Sequence, residues 1–389
     1  MLTFDKFTGI NNTVPPERLK KHELVEALNV DIGNDGELRR RLGYERLSAA
    51  CHRNLWQGSG FMLATVADAG LVAIKDGAET QVMPALGAER VWYANLPDGR
   101  TLFGNGLVDG TTDGGPARPL GVALPAIQGS FTSIPGDLSP GVYQWHMTAV
   151  RAEDRVESGS VRGGVVEITE GGLLLTGLPT RAGHTLNIYL TGANGSEIYF
   201  AGSAFGPSFS FTGKNDALVV PCRTRNLSPL PAGALYSFWR GRVLVAKDNA
   251  LYASLPNQWG LHDPAKDVKQ FSAPITLIQP VESGVFVGTE EELVLLRGDT
   301  FDGLTFIQKV SGRVVLGSGT TVPGEKIVRG DGVGTGTSMI CIVGGMLVAG
   351  FGDGEVIAFQ DGKYRTDVQS VYSTFREVRD IPQYVAVPA

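Results

Sequence analysis

Residues 235–254 read LYSFWRGRVLVAKDNALYAS, three short apolar runs separated by Arg240-Gly241 and by Lys247-Asp248-Asn249. Val, Leu, Tyr and Trp favour strands, whereas Gly, Asn and Asp tolerate the positive φ that tight turns require. The stretch therefore predicts three antiparallel strands joined by two tight turns.

Units of the same kind recur along the chain, and three of them fall within residues 233–375 at a spacing of roughly 40–50 residues, which is the period of β-propeller blades. We therefore predict a β-propeller, with another sheet-rich arrangement as the alternative. The further units are Trp92–Phe103 with a turn at Pro97-Asp98-Gly99, Val281–Arg297 with turns at Glu282-Ser283-Gly284 and Thr289–Glu291, and Ile340–Phe359 with turns at Gly344-Gly345 and Asp353-Gly354.

The composition agrees with an all-β protein of several domains. The chain has 389 residues, of which 52 are Gly and 21 are Pro, so turns are frequent. Apolar residues make up 42% and charged residues 19%, which favours a packed core over disorder. The formal net charge of −6 argues against tight binding of nucleic acid by the whole chain, because an acidic surface repels phosphate.

Two Pro- and Gly-rich stretches, residues 113–141 and 221–233, divide the chain. Between them at least six short strands follow one another, and Tyr143, Trp145, Met147 and Ala149 alternate as the inner face of a sheet. About 90 residues with this strand count predict a β-sandwich inserted between propeller blades. The predicted division is 1–45, an N-terminal segment with a short helix (Pro16–Asn29) and a hairpin; 46–127, the first blades; 128–225, a sandwich of the fibronectin-III or immunoglobulin type; and 226–389, the remaining blades.

Motifs that would carry chemistry are incomplete. The run Gly330–Gly336 lacks the Gly-Lys-Ser/Thr ending and the following helix of a phosphate loop, so we interpret it as a hairpin loop. Asp31–Leu42 resembles a calcium loop only at its start, since Gly33 and Leu42 replace two ligands, and Asn34-Asp35-Gly36 is instead predicted to be a hairpin turn between Leu28–Ile32 and Glu37–Arg41. We therefore expect no cofactor and no metal.

Hydrolytic motifs are missing as well. The five histidines occur singly, and neither H-E-x-x-H nor G-x-S-x-G is present. The three cysteines are far apart and odd in number, which fits a reducing compartment. We expect no enzyme, although a glycosidase with two carboxylates brought together by the fold remains an alternative.

The first residues have no apolar core of a signal peptide, and the longest apolar runs are strand-sized. These observations predict a chain made in the cytoplasm without membrane insertion. The basic triplet Arg39-Arg40-Arg41 is the one candidate contact site. On a strand Arg40 faces away from Arg39 and Arg41, so the triplet either protects an exposed strand edge or pairs with an acidic neighbouring subunit.

The first 44 residues carry a recognisable succession. Phe7-Thr-Gly9-Ile10-Asn11-Asn12 is followed by Asn29-Val30-Asp31, then by Asp35-Gly36-Glu-Leu38 and by Arg41-Leu-Gly43-Tyr44. This succession resembles the opening of the tail hub, nozzle or head-to-tail stabilisation proteins of short-tailed bacteriophages, with Leu42 where those proteins often have Pro. The segment from Gly141 to Gly195 resembles the fibronectin-III-like modules of such proteins.

The resemblance implies a structural subunit of the virion tail, synthesised in the cytoplasm of a bacterial host. It implies a ring, commonly a hexamer, beneath the portal and adaptor, which lines the path of the exiting viral DNA without binding it specifically. Adaptor, portal, and tail fibre or needle proteins would be its partners. The alternative is a carbohydrate- or receptor-binding propeller at the tail tip, with Tyr252, Trp259 and Tyr364 stacking on sugar rings.

Overall fold

The computed structural model describes residues 6–33, 35–43, 45–46, 48–66, 70–87, 89–330, 332–378 and 381–389. Strands dominate these residues, and the predicted all-β class is confirmed. Helical structure in the described ranges is confined to four 3₁₀ turns, at Pro16–Arg18, Asn215–Ala217, Gly324–Lys326 and Phe359–Gly362.

The N-terminal segment contains four short strands. β1 and β2 pair in parallel, and β3 and β4 form an antiparallel hairpin at the place that the sequence predicts. Asn34 in the predicted turn and Tyr44 lie outside the described residues. The strands are β1 (Gly9–Ile10), β2 (Glu23–Leu24), β3 (Val30–Ile32) and β4 (Leu38–Arg40).

The predicted helix Pro16–Asn29 is wrong. Only its first three residues form a 3₁₀ turn, and Glu23 lies in β2 instead. The Glu23 carboxylate accepts hydrogen bonds from the Asn11 side chain (3.0 Å) and from the Lys20 N–H (3.2 Å). These contacts fix the segment to β1, and a short helix without a packing partner is marginal in water.

Two sheets follow the N-terminal segment. The first sheet has strand order β5-β6-β7-β8 and the second has β9-β10-β11, and every neighbouring pair is antiparallel. Their strands are β5 (His52–Gln57), β6 (Met62–Val66), β7 (Gly70–Lys75), β8 (Ala78–Met83), β9 (Trp92–Asn95), β10 (Thr101–Gly104) and β11 (Asp109–Thr112).

A sandwich of seven strands is inserted after the second sheet, as predicted. A three-stranded sheet, β12-β15-β18, faces a four-stranded sheet, β14-β13-β16-β17, across one core. The predicted inner face is confirmed, because Tyr143, Trp145, Met147 and Ala149 are all buried in that core. The strands are β12 (Ser130–Pro135), β13 (Gly141–Arg151), β14 (Val161–Ile168), β15 (Gly171–Thr176), β16 (His184–Thr191), β17 (Ile198–Ala204) and β18 (Ser208–Phe211).

The third and fourth sheets are four-stranded meanders that contain the quoted hairpins. Their strand orders are β20-β21-β22-β24 and β25-β26-β27-β28, and β19 pairs with β23 beside the third sheet. The strands are β19 (Ser228–Pro229), β20 (Leu235–Trp239), β21 (Arg242–Lys247), β22 (Ala250–Ala253), β23 (Leu261–His262), β24 (Val268–Gln270), β25 (Ile275–Val281), β26 (Gly284–Thr289), β27 (Glu292–Arg297) and β28 (Thr305–Ser311).

The fifth sheet also has four strands, in the order β29-β32-β33-β34, and the sixth has two, β35 and β36. The Gly-rich run forms the hairpin β30–β31, although its Asp331 lies outside the described residues. The strands are β29 (Thr320–Pro323), β30 (Val328–Arg329), β31 (Gly332–Val333), β32 (Thr337–Val343), β33 (Met346–Gly350), β34 (Val356–Ala358), β35 (Val371–Val378) and β36 (Ile381–Pro388).

Each sheet packs face to face on the next through an apolar core. Phe103 lies between the first and second sheets, and Tyr236 lies between the second and third. Val287 lies between the third and fourth sheets, Phe286 between the fourth and fifth, and Phe351 in the core between the fifth and sixth. Alternation along β26 therefore sends Phe286 and Val287 into two different cores, as a sheet buried on both faces requires.

The sixth sheet returns to the first and closes the ring. The Tyr372 hydroxyl of β35 donates to the Asn54 side chain of β5 at 3.1 Å. A cavity of about 790 Å³ lies at the centre, lined by the first strand of every sheet, namely β5, β9, β20, β25, β29 and β35. Six sheets arranged around a central cavity define a β-propeller. The fold predicted from the sequence, a propeller with an inserted sandwich, is confirmed.

Candidate functional site

The basic triplet lies on the hairpin β3–β4, outside the six sheets. Asp31 pairs with Arg39 across the hairpin, and the Arg41 Nε atom lies 2.8 Å from a carboxylate oxygen of Asp31. Arg39 forms an ion pair with Glu37. Arg40 alternates to the opposite face, so the structure brings Arg39 and Arg41 together and leaves Arg40 apart, as the sequence predicts.

An apolar groove of about 580 Å³ lies beside this hairpin, between the fifth and sixth sheets. In the described part of the chain the sixth sheet has only two strands, so none of its strands lies opposite the outer part of the fifth sheet. The groove is lined by Val322, Ile340 and Leu347 of the fifth sheet and by Phe375 and Tyr384 of the sixth.

The hairpin β3–β4 forms the rim of the groove through its charged face. Asp31 and Arg41 line the groove, and the Asp31 side chain is only 22% exposed. Val30, Ile32 and Leu38 alternate to the other face of the hairpin, and Leu38 is 41% exposed. Each molecule therefore has an open, mainly apolar groove and, next to it, a hairpin whose other face, with Val30, Ile32, Leu38 and Arg40, is turned away from that groove.

The central cavity contains an arginine held between two aromatic rings. The Arg90 guanidinium lies 4.1 Å from the ring centre of Trp92 and 4.1 Å from that of Tyr372, and it donates to the Ser370 hydroxyl at 3.3 Å. Burial lowers the pKa of Arg90 below its ordinary value. Within the described ranges no carboxylate forms an ion pair with Arg90. The arginine therefore joins β9 to β35 by cation–π contacts.

The opposite end of the cavity carries Trp56, Asn95 and Glu282. The Trp56 indole N–H donates to the Asn95 side chain at 2.9 Å, and its ring stacks on Tyr93 at 5.6 Å. Glu282 accepts the Thr337 N–H at 2.7 Å. Burial acts to raise the pKa of Glu282, but the hydrogen bonds from Thr337 outweigh it and lower that pKa.

Carboxylates are sparse in this cavity. Glu282 is the one acidic residue among the described residues that line it. Asp98 and Glu157 both line a second cavity of about 460 Å³ between the sandwich and the propeller. Glu157 there accepts the hydroxyls of Thr148 and Tyr189, and Asp98 is paired with Arg100 at 2.7 Å. In the described part of the chain no group of three or more His, Cys, Asp and Glu residues is placed to hold a metal ion.

The aromatic residues proposed from the sequence for sugar stacking do not line the central cavity, although Trp259 lines the second cavity. Trp259 packs edge-on against Phe238 and donates its indole N–H to the Gly241 carbonyl at 2.9 Å, and Tyr252 packs edge-on against His262. Tyr364 is 37% exposed. The sequence reasoning missed Arg90, although the alternation of Arg90 and Trp92 at the start of a strand was a signal for a shared face.

No model of a known protein family and no curated protein matches this chain. Among solved structures it is similar to the WD40 domain of Neurospora crassa Pan2, with 7% identity over 87% of this chain and 86% of that chain and a TM-score of 0.36. It is also similar to BBS1N, crystallised in complex with ARL6DN, with 11% identity over 87% of this chain and 92% of that chain and a TM-score of 0.31. The computationally designed Ika8 protein is similar over 87% of this chain and 97% of that chain, with 10% identity and a TM-score of 0.28.

Likenesses of this strength carry no information on function, and the propeller is established by the sheets and the cavity instead. In the described ranges no helix has the length and apolar character needed to cross a bilayer.

Proposed function

We propose that this chain is a non-catalytic structural subunit of a bacteriophage tail. It would belong to the hub or nozzle ring beneath the portal and adaptor, surround the path of the exiting DNA, and carry other tail parts. The N-terminal succession from Phe7 to Gly43 supports this role through its resemblance to the opening of such proteins.

The observation that carries the proposal is the exposure of apolar residues in that same segment. It lies outside the six sheets, and four of its large apolar side chains are exposed: Val25 (43%), Leu28 (76%), Leu38 (41%) and Leu42 (61%). Exposed apolar side chains gathered on one part of a chain are typical of a surface that meets another protein. The segment is therefore suited to contact a neighbouring subunit or the adaptor.

The DNA path would run along the axis of the ring and not through the propeller. The central cavity of the propeller, about 790 Å³, holds the side chains of six strands and contains the Arg90 cluster, so it has no room for a duplex. An overall charge of −6 would let DNA slide past without adhering.

The lack of catalysis is supported by the carboxylates of the two cavities. Among the described residues Glu282 is the one carboxylate that lines the central cavity, and Asp98 and Glu157 of the second cavity are already engaged by protein donors. A glycosidase requires a carboxyl pair at roughly 5–10 Å on either side of a bound sugar. The positions of these carboxylates therefore support glycoside hydrolysis less than the exposed apolar residues of the N-terminal segment support a role in assembly.

Immunogold labelling of purified phage particles that encode this chain tests the proposal. An antibody against the sandwich, the part that projects from the propeller, should label the tail vertex of intact virions. Particles disrupted by osmotic shock should keep the label on tail fragments. A chain that is missing from purified particles, or that labels the capsid shell uniformly, contradicts the proposal.

One observation favours a second candidate, a carbohydrate-binding propeller at the tail tip. Trp56 (37% exposed) and Tyr372 (39% exposed) line the central cavity and offer ring surface on which a sugar could stack. Binding of the purified chain to host envelope glycans, abolished by Trp56→Ala and unchanged by Trp259→Ala, would establish this candidate. If the wild-type chain binds no glycan, this candidate is excluded.

A further inference from the structure

The sixth sheet lacks its outer half. Among the described residues four of the other sheets have four strands and the second has three, continued by a bridge between Thr111 and Arg118, whereas the sixth consists of β35 and β36 alone. β35 is the inner strand, since its Tyr372 and Ser373 line the central cavity. The two missing positions are therefore the third and fourth, at the periphery of the propeller.

The open edge of β36 offers a short set of backbone groups. The Ala389 N–H donates to the Ser370 carbonyl of the neighbouring strand at 3.0 Å. Because backbone groups alternate in direction along a strand, the odd-numbered residues of β36 face β35, and Tyr384 and Ala386 direct their N–H and C=O groups outward. Pro382 and Pro388 bracket these two residues and have no N–H. The edge can therefore accept a strand of about three residues and rejects a longer one.

The free edge of β4 has the same number of outward-directed backbone groups as the free edge of β36. The Arg41 N–H donates to Asn29 at 3.1 Å, and the Gly33 N–H donates to Glu37 at 2.8 Å, so the odd-numbered residues of β4 face β3. Leu38 and Arg40 then direct their backbone groups outward, and no strand in the described residues pairs with them on that side. Two outward residues on β4 thus meet two outward residues on β36. The hairpin also supplies two strands, which is the number that the sixth sheet lacks.

The hairpin of the same chain is a poor occupant of the groove. Its face toward the groove is the charged one, with Asp31 and Arg41 at the rim, whereas most of the groove lining is apolar apart from Lys326 and Arg376. Moving the Asp31–Arg41 ion pair deeper against the apolar side chains would cost free energy through desolvation. On the other face Leu38 is 41% exposed, which leaves its side chain available to a second molecule.

We infer that the hairpin β3–β4 of one copy adds to β36 of the next copy and completes its sixth sheet, with Leu38 of the first copy covering the groove of the second. Such a contact joins two different surfaces, and each molecule carries one of each, so the contact propagates head to tail and can close into a ring. Main-chain hydrogen bonds along an exposed edge would give affinity, and the groove would give specificity. The inference rests on the proposed ring and names the surface that closes it.

Site-specific cross-linking of the full-length chain tests the inference. In a background of Cys51→Ser and Cys222→Ser, one preparation carries Arg40→Cys and another carries Val387→Cys. Mixing them with a short bismaleimide should give a covalent dimer, which in this design can only join two molecules. Asn194→Cys, on a turn of the sandwich, replaces Arg40→Cys in the control mixture and should give none.

A second pair of variants tests the apolar contact. Leu38→Asp should weaken association about ten-fold, which corresponds to about 1.4 kcal/mol. Leu107→Asp, a matched change at a side chain that is 78% exposed on the second sheet, should leave association unchanged. Circular dichroism checks that both variants are folded.

The outcomes separate this inference from the proposed function. A cross-linked dimer that Leu38→Asp removes supports the inference. A ring measured by native mass spectrometry without that cross-link, or a cross-link formed only within one chain carrying both cysteines, overturns the inference and leaves the proposed ring standing. A chain that stays monomeric at tens of micromolar overturns both.

Discussion

Replacing Arg90 by alanine should loosen the sixth sheet from the rest of the propeller. The guanidinium lies 4.1 Å from the ring centres of Trp92 in β9 and Tyr372 in β35, and it is hydrogen-bonded to Ser370. Because Trp92 and Tyr372 belong to the second and sixth sheets, Arg90 is a direct connection between the sheet that closes the ring and those at its start.

The size of the effect follows from these contacts. A half-buried cation–π contact contributes about 1 kcal/mol, and there are two of them. Losing the long hydrogen bond to Ser370 costs about 0.5 kcal/mol more. The variant also no longer buries a charge that has no carboxylate partner, and this gain offsets a similar amount. Arg90→Ala should therefore cost about 2 kcal/mol, which is a factor of about thirty in a local opening equilibrium.

Hydrogen exchange measured by mass spectrometry gives this factor directly. Peptides that cover β35 and β36 should lose about thirty-fold in protection, while those from the sandwich should not change, because the sandwich has its own core. Arg376→Ala is the matched control, since it removes a guanidinium from β35 whose hydrogen bond, to the Gln383 side chain at 2.9 Å, stays within the sixth sheet. Unchanged protection of residues 371–388 in Arg90→Ala would show that the sixth sheet is not held against the second and would refute the reasoning.

Three further predictions concern single sites. Gly284→Ala should destabilise the fourth sheet by more than about 3 kcal/mol in urea unfolding, because the residue has φ +153 and an added Cβ would lie 1.9 Å from the Leu296 carbonyl oxygen. In the control variant Gly183→Ala the added Cβ meets nothing within 4 Å, so that change should cost about 1 kcal/mol. Burial, with the charges of Arg225 and Arg162, lowers the pKa of His146 to about 4, below the ordinary 6.5. Because His146 takes up a proton on unfolding between these pH values, the stability of the wild-type protein should fall as the pH drops from about 6.5 to 4. The thermal midpoint of His146→Gln should fall less over that range. Cys51 is exposed, whereas Cys341 is buried, and burial raises the pKa of the Cys341 thiol to about 12. A thiol reagent should therefore modify Cys51 in the native protein and Cys341 only after unfolding. Rapid labelling of Cys341 in the native protein would contradict its buried position.

The sequence predicts those parts of the fold that depend on neighbouring residues. The turn Lys247-Asp248-Asn249 can be predicted because Asp tolerates the left-handed conformation, and Asp248 has φ 53. The inner face of the sandwich can be predicted because alternation along one strand fixes which side chains share a side. Both properties are local, and both are confirmed.

Contacts between distant residues could not be predicted. Arg90 and Tyr372 are separated by most of the chain, and nothing in either local sequence indicates the other. The helix predicted at Pro16–Asn29 failed for a related reason, because the contact of Glu23 with Asn11 overrides a weak local preference. The groove at the sixth sheet depends on how many strands the chain supplies to each sheet, which no local pattern reveals.

We propose that this propeller assembles with copies of itself into a ring. Native mass spectrometry of the purified full-length chain across a dilution series measures this most directly. We predict one closed oligomer with a single integer number of copies that persists on dilution and is lost in Leu38→Asp. A monomer at every concentration, with Leu38→Asp indistinguishable from wild type, would contradict the claim.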